Sequence, residues 1–335
     1  RSTQSRSSAA SDVYKRQEDG RPLYHPVLCH LADTAAVAME IVQTYLSPLA
    51  RQQLSAGLGL EGDPLARFCG FMAGCHDLGK VSPAFQFQVS EVGKALVGSR
   101  LYDLWRSYPN TGQPTPHGTV TAATLPGFLE ELGLPKKLAQ KLSAIVGGHH
   151  GFFPGLQDIQ SLSPDDVGRG EWIPFRREIF QQLQDFVGLK REEIPARCSN
   201  AAAMILAGLA TVADWIASNT ESFPYANDEP FETYAQGIVE KAKQALKTQG
   251  WIAPPTGSPL TFQALFDFIS EPRPLQSAAI DLKDRLAPPC LVIVEAAMGE
   301  GKTEAALYLA DHLQHQSGAG GFYIGLPTQA TSNAM

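Results

Sequence analysis

The chain has 335 residues, which is enough for two domains, and 44% of them are hydrophobic, which is enough for a sizeable core. A formal net charge of −7 argues against a broadly basic surface that binds nucleic acid, although metal ions can supply positive charge at a local site. Five cysteines without a C-x-x-C pair or a secretory signal fit a reducing compartment, so we expect a cytoplasmic protein.

The first stretch, residues 1–17, is rich in Ser, Arg and Gln and lacks a hydrophobic period, so we interpret it as a tail that is foreign to the fold or disordered. Because the sequence begins without methionine and ends abruptly after LPTQATSNAM, we expect a fragment of a longer protein. From residue 18 to residue 250, hydrophobic residues recur at helical spacing and predict a helical domain.

Several helices are predicted within this domain. They cover LADTAAVAMEIVQTYLSPLA, DPLARFCGFMAG, a segment that begins near His117, a segment that stops at Gly147-Gly148, and FETYAQGIVEKAKQALKTQG. Ser199 or Asn200 is a candidate N-cap for one more helix. Its apolar stretch, residues 201–217, includes Asp214, so we predict a buried core helix and no membrane span.

Histidines and carboxylates cluster at the ends of these predicted helices. His76 and Asp77 are adjacent in GCHDLGKVSPAFQ, and His149 and His150 follow a helix stop, from which both rings can reach one cavity. Asp214 lies in an apolar stretch, where a bare carboxylate is costly unless a cation or hydrogen bonds meet it. Taken singly, each histidine is more often an ordinary core or surface residue, and a helix cap or a salt bridge is as good an interpretation of Asp214.

Taken together, these side chains favour a metal site. Imidazole and carboxylate suit Mn, Fe, Co, Ni or Zn better than Ca or Mg. The candidate ligands are too many for one tetrahedral ion but suffice for two: His30, His76, Asp77, His117, His149, His150 and Asp214. Asp77 is the natural bridge between two ions, and such a pair activates water for phosphoryl displacement. Lys80 lies about one turn after Asp77 and either neutralises a phosphate oxygen or is a solvated surface lysine.

A second type of pattern follows a Pro- and Gly-rich linker at residues 251–260. The runs CLVIVEA and GGFYIGLPTQ are predicted strands on either side of a helix, TEAALYLADHLQHQ, which is typical of a parallel α/β sheet. Between the first strand and the helix, AAMGEGKT has the form of a phosphate-binding loop. In this loop Gly299 and Gly301 allow a close backbone approach, Lys302 reaches the β- and γ-phosphates, and Thr303 holds Mg²⁺.

Five motifs in this order, CHLADTAAVA, GCHDLGKVSPAFQ, PHGTVTA, GGHHG and ATVADWIAS, resemble the HD nuclease domain of the CRISPR-associated helicase-nuclease of type I interference systems. The resemblance implies a mainly α HD domain, a metal-dependent phosphohydrolase-like helical bundle, at residues 18–250. An incomplete α/β RecA-like lobe would follow at residues 261–335. It also implies that the seven candidate ligands hold two divalent transition-metal ions. Gln276 matches the adenine-reading glutamine of such helicases, and Thr328 matches a position that contacts a single strand.

The resemblance implies metal-dependent cleavage of single-stranded DNA, with Asp77 and Lys80 as catalytic residues. In the full-length protein, ATP and Mg²⁺ would drive the strand to this site after a guide-RNA surveillance complex recruits the enzyme. No acidic D-E-x-H-type motif, second lobe or arginine finger is seen, so we expect no helicase activity from this chain. Two alternatives are an HD phosphohydrolase acting on small nucleotides and a non-catalytic nucleotide-binding module. Asp33 lies three residues after His30 and is a candidate to orient the His30 ring without binding the metal itself.

Overall fold

The computed structural model describes residues 11–16, 22–87, 115–227, 229–251, 253 and 257–325, and the fold is given for these residues. They form two compact units. The first is drawn from residues 1–44 and 53–250, and the second from residues 45–52 and 251–335. Each unit is described by itself.

The described residues of the first unit are helical apart from one antiparallel hairpin, β1 (Ser11–Arg16) with β2 (Pro22–Pro26). Strand β1 lies within the stretch that we interpreted as a tail. The helices up to residue 160 are α1 (Val27–Glu40), α2 (Pro48–Leu58), α3 (Gly62–Gly74), α4 (Pro83–Gln86), α5 (His117–Leu132), α6 (Lys136–Gly147) and α7 (Leu156–Gln160). Residues 48–52 of α2 are assigned to the second unit and the rest of α2 to the first. The remaining helices are α8 (Pro164–Val167), α9 (Trp172–Val187), α10 (Asn200–Ala217), α11 (Phe231–Ala235) and α12 (Ile238–Thr248).

Helix α1 is the centre of this unit, because every residue from Val27 to Ala38 is buried. Helices α3, α9, α10 and α12 pack around it. The run VLCHLADTAAVA is apolar apart from His30, Asp33 and Thr34, and a helix with so little polar surface is stable only in the interior. The candidate ligand His30 lies in the first turn of this buried helix.

Several helix boundaries predicted from the sequence are confirmed. Helix α5 begins at His117, α6 ends at Gly147, and the hydroxyl of Ser199 accepts a hydrogen bond from the backbone N–H of Ala202, 3.1 Å away, as an N-cap. The single exposed helix predicted in FETYAQGIVEKAKQALKTQG is wrong: α11 and α12 are separate, with a break that ends at Gly237. Both bury one face, as Tyr234 and the apolar side of α12 show.

Among the residues that the structure describes, α10 is the one helix long and apolar enough to cross a membrane by length and composition. Of that helical window, 56% is buried inside the protein. It packs against α1, α3 and α6, as expected for a core helix.

The second unit contains α13 (Phe262–Leu265), α14 (Pro274–Leu282) and α15 (Lys302–Ser317). Its core is small and made of six buried side chains: Phe262, Phe266, Ala279, Ala305, Tyr308 and Leu309. Helix α15 confirms the helix predicted after the phosphate-binding loop.

The strand predicted in CLVIVEA is wrong, since residues 290–297 form no strand and Leu291 and Ile293 are 85% and 75% exposed. Residues 321–325 form no strand either, and the rest of the second predicted strand, with Thr328, lies outside the described residues. A parallel strand needs a neighbour for its backbone groups and cover on both faces, and neither is supplied to these two segments. The RecA-like sheet is therefore absent from the described residues.

Candidate metal centre

The HD motif lies where α3 ends. After Gly74 the chain tightens into a 3₁₀ turn, Cys75–Lys80, and within it the backbone of Asp77 leaves helical geometry, with φ −104° and ψ 16°. His76 and Asp77 are 0% and 1% exposed. This turn presents both side chains to the interior rather than to solvent.

Small residues let the neighbouring helices approach this turn. A Cβ added at Gly79 would overlap the carbonyl oxygen of His117, so only glycine permits the contact. The hydroxyl of Thr121 accepts from the N–H of Gly79 and donates to the carbonyl oxygen of His76, both at 2.8 Å. This hydroxyl fixes the start of α5, and hence His117, against the HD turn.

Asp77 is the centre of the candidate site. Its Oδ2 lies 3.4 Å from His30 Nε2 and 3.1 Å from His76 Nε2. Its Oδ1 lies 3.1 Å from His117 Nε2 and 3.3 Å from His149 Nε2. Each carboxylate oxygen therefore faces a different pair of imidazole rings, which is the arrangement that a bridging carboxylate needs.

Asp214 enters the site from α10. Its Oδ1 lies 3.2 Å from His30 Nε2 and 3.3 Å from His76 Nε2, and the hydroxyl of Ser218 donates to the same oxygen over 3.2 Å. One turn before Asp214, the hydroxyl of Thr211 lies 3.0 Å from the carbonyl oxygen of His149 and donates to it. That contact fastens α10 to the loop that carries the two adjacent histidines.

The candidate ligands thus divide into two groups in which one ligand atom of each residue lies within 4.8 Å of the others. They are His30, His76, Asp77 and Asp214, all buried, and His117, His149 and His150, of which His150 is exposed. His150 Nε2 lies 3.2 Å from His117 Nε2. All seven residues singled out in the sequence are therefore brought together, with the second group nearer to solvent.

The chemistry of these atoms fits metal ions. His76 Nδ1 donates to the carbonyl oxygen of Ala73 over 2.8 Å, and His149 Nδ1 donates to that of Val146 over 2.9 Å. Because a carbonyl oxygen only accepts, Nδ1 carries the hydrogen and the Nε2 of a neutral ring is a lone pair. The Nε2 atoms of His76 and His149, and Oδ1 of Asp77, are buried and make no hydrogen bond. Lone pairs and carboxylate oxygens that converge in this way form a donor set that suits a divalent cation.

The pKa values of the buried groups show that this cluster favours positive charge next to its carboxylates. Burial lowers the pKa of His76, but Asp77 and Asp214 outweigh it and raise that pKa to about 9. Burial raises the pKa of Asp214, but the His30 and His76 rings beside its carboxylate outweigh the effect of burial, so the net pKa is lowered. For Asp77, burial is likewise outweighed by His76 and Lys80, and its pKa falls well below the usual range. Both carboxylates are therefore charged at neutral pH.

Lys80 forms part of the same cluster. Its Nζ lies 2.6 Å from Asp77 Oδ2 and 5.4 Å from the centroid of the Phe85 ring, and its side chain is 13% exposed. The solvated surface lysine that we kept as an alternative is therefore wrong. Lys80 is a nearly buried cation held against the central carboxylate.

One polar cluster was not predicted. His25, Asp33 and Tyr234 are all buried, and Asp33 makes its described hydrogen bonds to His25 and Tyr234 rather than to His30. The role that we expected for Asp33, orienting His30, stays a prediction. The signal available in the sequence was a carboxylate within the apolar run LADTAAVA.

The predicted nucleotide-binding residues line one open pocket of about 650 Å³ in the second unit: Gln276, Gly299, Gly301, Lys302 and Thr303. Gly299 and Gly301 have φ values of 82° and 81°, which glycine adopts without strain. Lys302 Nζ donates to the carbonyl oxygens of Ala296 and Ala297, each at 2.6 Å. In this structure the ammonium group of Lys302 is therefore held by backbone oxygens of its own loop.

The family model described as the HD domain of Cas3 matches residues 14–223 of the chain. A Cas3 endonuclease/helicase of Thermus thermophilus is 34% identical over 95% of this chain and 34% of its own length. A Cas3 nuclease/helicase of Streptococcus thermophilus is 28% identical over 96% of this chain and 36% of its own length. The chain thus spans about a third of the length of these curated relatives.

The solved structures that resemble this chain also come from CRISPR proteins. A CRISPR-associated protein aligns with a TM-score of 0.76 and 36% identity, covering 94% of this chain and 34% of that one. The Thermus thermophilus Cas3 HD domain, crystallised in the presence of Ni²⁺, aligns with a TM-score of 0.56 and 27% identity, covering 75% of this chain and 92% of that one. A chain of a CRISPR RNA-guided surveillance complex before nicking aligns with a TM-score of 0.63 and 26% identity, covering 97% of this chain and 37% of that one.

Proposed function

The chain belongs to the Cas3 HD-domain family, and we propose that its first unit is a metal-dependent nuclease that hydrolyses phosphodiester bonds of single-stranded DNA. The observation that carries the proposal is Asp77, whose two oxygens face two separate groups of imidazoles. A carboxylate placed in this way can bridge two cations.

We assign the ligands from this geometry. His30, His76 and Asp214 would hold one ion, His117, His149 and His150 would hold the other, and Asp77 would serve both. Two divalent ions, of Fe, Mn, Co, Ni or Zn, supply an activated water and charge stabilisation for phosphoryl displacement. The Nδ1 hydrogen bonds of His76 and His149 to backbone carbonyls hold those rings in the metal-binding tautomer.

Lys80 is the positively charged side chain best placed to act on the substrate. Its ammonium group pairs with Asp77 Oδ2 in this structure, and ions bound to that oxygen would release it. The released ammonium can then stabilise the negative charge that develops on a non-bridging phosphate oxygen. Asp77 and Lys80 are accordingly the catalytic residues of the proposal.

The names of the relatives support a nuclease that works with a helicase and a CRISPR complex, and the single-stranded substrate is part of our proposal. They are named endonuclease or nuclease and helicase, and one structural relative is a chain of an RNA-guided surveillance complex. In the longer protein, ATP and Mg²⁺ bound at the pocket of Gln276, Gly299, Gly301, Lys302 and Thr303 would drive a single strand toward the HD unit. Recruitment by the surveillance complex would supply that strand, in the cytoplasm and without a membrane partner.

The deciding experiment compares three substrates after loading with each candidate metal: a single-stranded DNA, a duplex of the same sequence and a deoxynucleoside triphosphate. We expect cleavage of the single strand, and its loss in Asp77→Ala with a lower metal content. A matched control is Asp165→Asn, which changes an exposed carboxylate paired with Arg169. Hydrolysis of the triphosphate alone would favour a small-nucleotide phosphohydrolase, and protein that retains no metal would favour a non-catalytic module.

A further inference from the structure

The buried cluster of His25, Asp33 and Tyr234 lies outside the proposed ligand set. The Nε2 of His25 lies 2.9 Å from Asp33 Oδ2, and the hydroxyl of Tyr234 lies 2.8 Å from the same oxygen and 3.1 Å from Oδ1. The three residues are 4%, 0% and 2% exposed. A carboxylate this deep in a protein is costly, so its charge requires an explanation.

The protonation of this cluster follows from its donors. The backbone N–H of Ala226 donates to His25 Nδ1 over 3.2 Å, so Nδ1 is an acceptor and the ring is not an imidazolium. The hydrogen of the ring is therefore on Nε2, which donates to Asp33. Tyr234 donates as well, so both described partners of Asp33 are neutral. Burial raises the pKa of Asp33, and on balance the pKa stays above its ordinary value although the hydrogen bonds from His25 and Tyr234 oppose the rise. An anionic Asp33 therefore needs a nearby cation to hold its charge.

The cluster borders the proposed metal centre. Asp33 lies on α1 one turn beyond His30, and the rings of His25 and His30 meet edge to face with centroids 6.5 Å apart. The ammonium group of Lys241 lies over the ring of Tyr234, 4.3 Å from its centroid, and is a cation on the other side of the cluster. No carboxylate oxygen of Asp33 is among the candidate ligand atoms.

The proposed centre would carry an excess of positive charge. Two divalent ions would bring more positive charge than Asp77 and Asp214 neutralise, and the buried ammonium of Lys80 adds to the excess. In a low-dielectric interior an excess of this kind weakens cation binding unless a nearby anion offsets it. Neutral hydrogen-bond donors leave the charge of an anion available to act at a distance, whereas a direct cationic partner would cancel it.

We propose that Asp33 is a buried counter-charge of the metal centre, which strengthens cation binding without contacting the ions. This inference rests on the proposed metal centre. His25 and Tyr234 keep Asp33 in place and exclude water from it. The segment around residue 226 is held against the start of α1 without His25 and Tyr234. Tyr24 and Asn227 hold it there, with the N–H of Tyr24 donating to Asn227 Oδ1 and the N–H of Asn227 donating to the Tyr24 carbonyl, at 3.0 and 3.1 Å.

Two substitutions in the cluster separate charge from hydrogen bonding. Asp33→Asn removes the charge and keeps an oxygen that accepts from His25, whereas Tyr234→Phe keeps the charge and removes one hydrogen bond. Mn²⁺ and Co²⁺ affinity would be measured by titration against a competing chelator, together with thermal unfolding in excess chelator. We expect Asp33→Asn to weaken the affinity by about tenfold, the lower end of the effect of groups that support metal ligands. Tyr234→Phe should lose unfolding temperature and much less metal affinity.

Equal metal affinities in the wild type and Asp33→Asn would overturn the proposal, as would an equal loss of affinity in the two variants, which would mark a purely structural cluster. Wild-type protein that binds neither metal would instead refute the metal centre itself. If Asp33→Asn does not fold, infrared spectra of the metal-loaded wild type can distinguish a charged Asp33 from a protonated one. The proposal requires no band from a protonated buried carboxyl group at neutral pH, and such a band assigned to Asp33 would overturn it.

Discussion

Metal binding should raise the free energy of unfolding of the first unit. The structure predicts how much of this increase each of three substitutions removes. Asp214 faces only the group of His30 and His76, whereas His150 belongs only to the other group. Asp77 faces both. We therefore expect Asp214→Asn and His150→Ala each to abolish the contribution of one ion, and Asp77→Asn to abolish both.

The magnitude follows from mass action, since the ions bind the folded state. At a free metal concentration of 100 times Kd, one site contributes about 2.7 kcal/mol to the free energy of unfolding. For a domain of about 200 residues, 1 kcal/mol shifts the unfolding temperature by about 2–4 °C, so each ion should add about 5–11 °C. The wild type should gain about twice that shift, Asp214→Asn and His150→Ala about one step, and Asp77→Asn none.

The assay is differential scanning calorimetry of each variant in excess chelator and then across a Mn²⁺ or Co²⁺ series. Asp165→Asn is the matched carboxylate control, and it should respond to metal as the wild type does. An unfolding temperature of the wild type that ignores both metal and chelator would show that Asp214 is satisfied by protein groups alone. A full metal response in Asp77→Asn would refute the bridging arrangement.

Three further predictions concern other parts of the molecule. Adding ATP with Mg²⁺ should not accelerate cleavage of single-stranded DNA by this chain, because the described residues contain no RecA-like sheet, and faster degradation would contradict this. Amide hydrogens of residues 291–295, which are irregular, should exchange much faster than those of residues 203–209 in α10, and equal protection would show a folded lobe. In chelator, His76 should stabilise the protein below its unfolded pKa of about 6.5, and this stability should be lost as the pH rises through about 9, because the folded pKa is the higher one. A His76→Gln variant should lack this decline in unfolding free energy, and an unchanged pH profile would exclude His76 as its source.

The residues of the candidate metal centre could be predicted from the sequence because they are a matter of residue type and local position. Imidazoles at helix ends and a carboxylate in an apolar helix are visible without coordinates, as are the Gly147 stop and the start of α5 at His117. Each of these signals depends on residues within a few positions of one another. The burial of Lys80 against Asp77 also follows from a spacing of one turn, although only the structure excluded a solvated lysine.

Other features depend on contacts between distant residues, which local patterns do not specify. The run CLVIVEA has the composition of a strand, but a strand also requires a partner, and the described structure provides none. Which oxygen of Asp77 faces which pair of rings depends on the close approach of α5 to the turn at Gly79. The partner of Asp33 is a further example, since Tyr234 lies 201 residues away in the chain. The apolar run of α1 determined that Asp33 would be buried, and only the packing of α11 against α1 decided which hydroxyl would meet it.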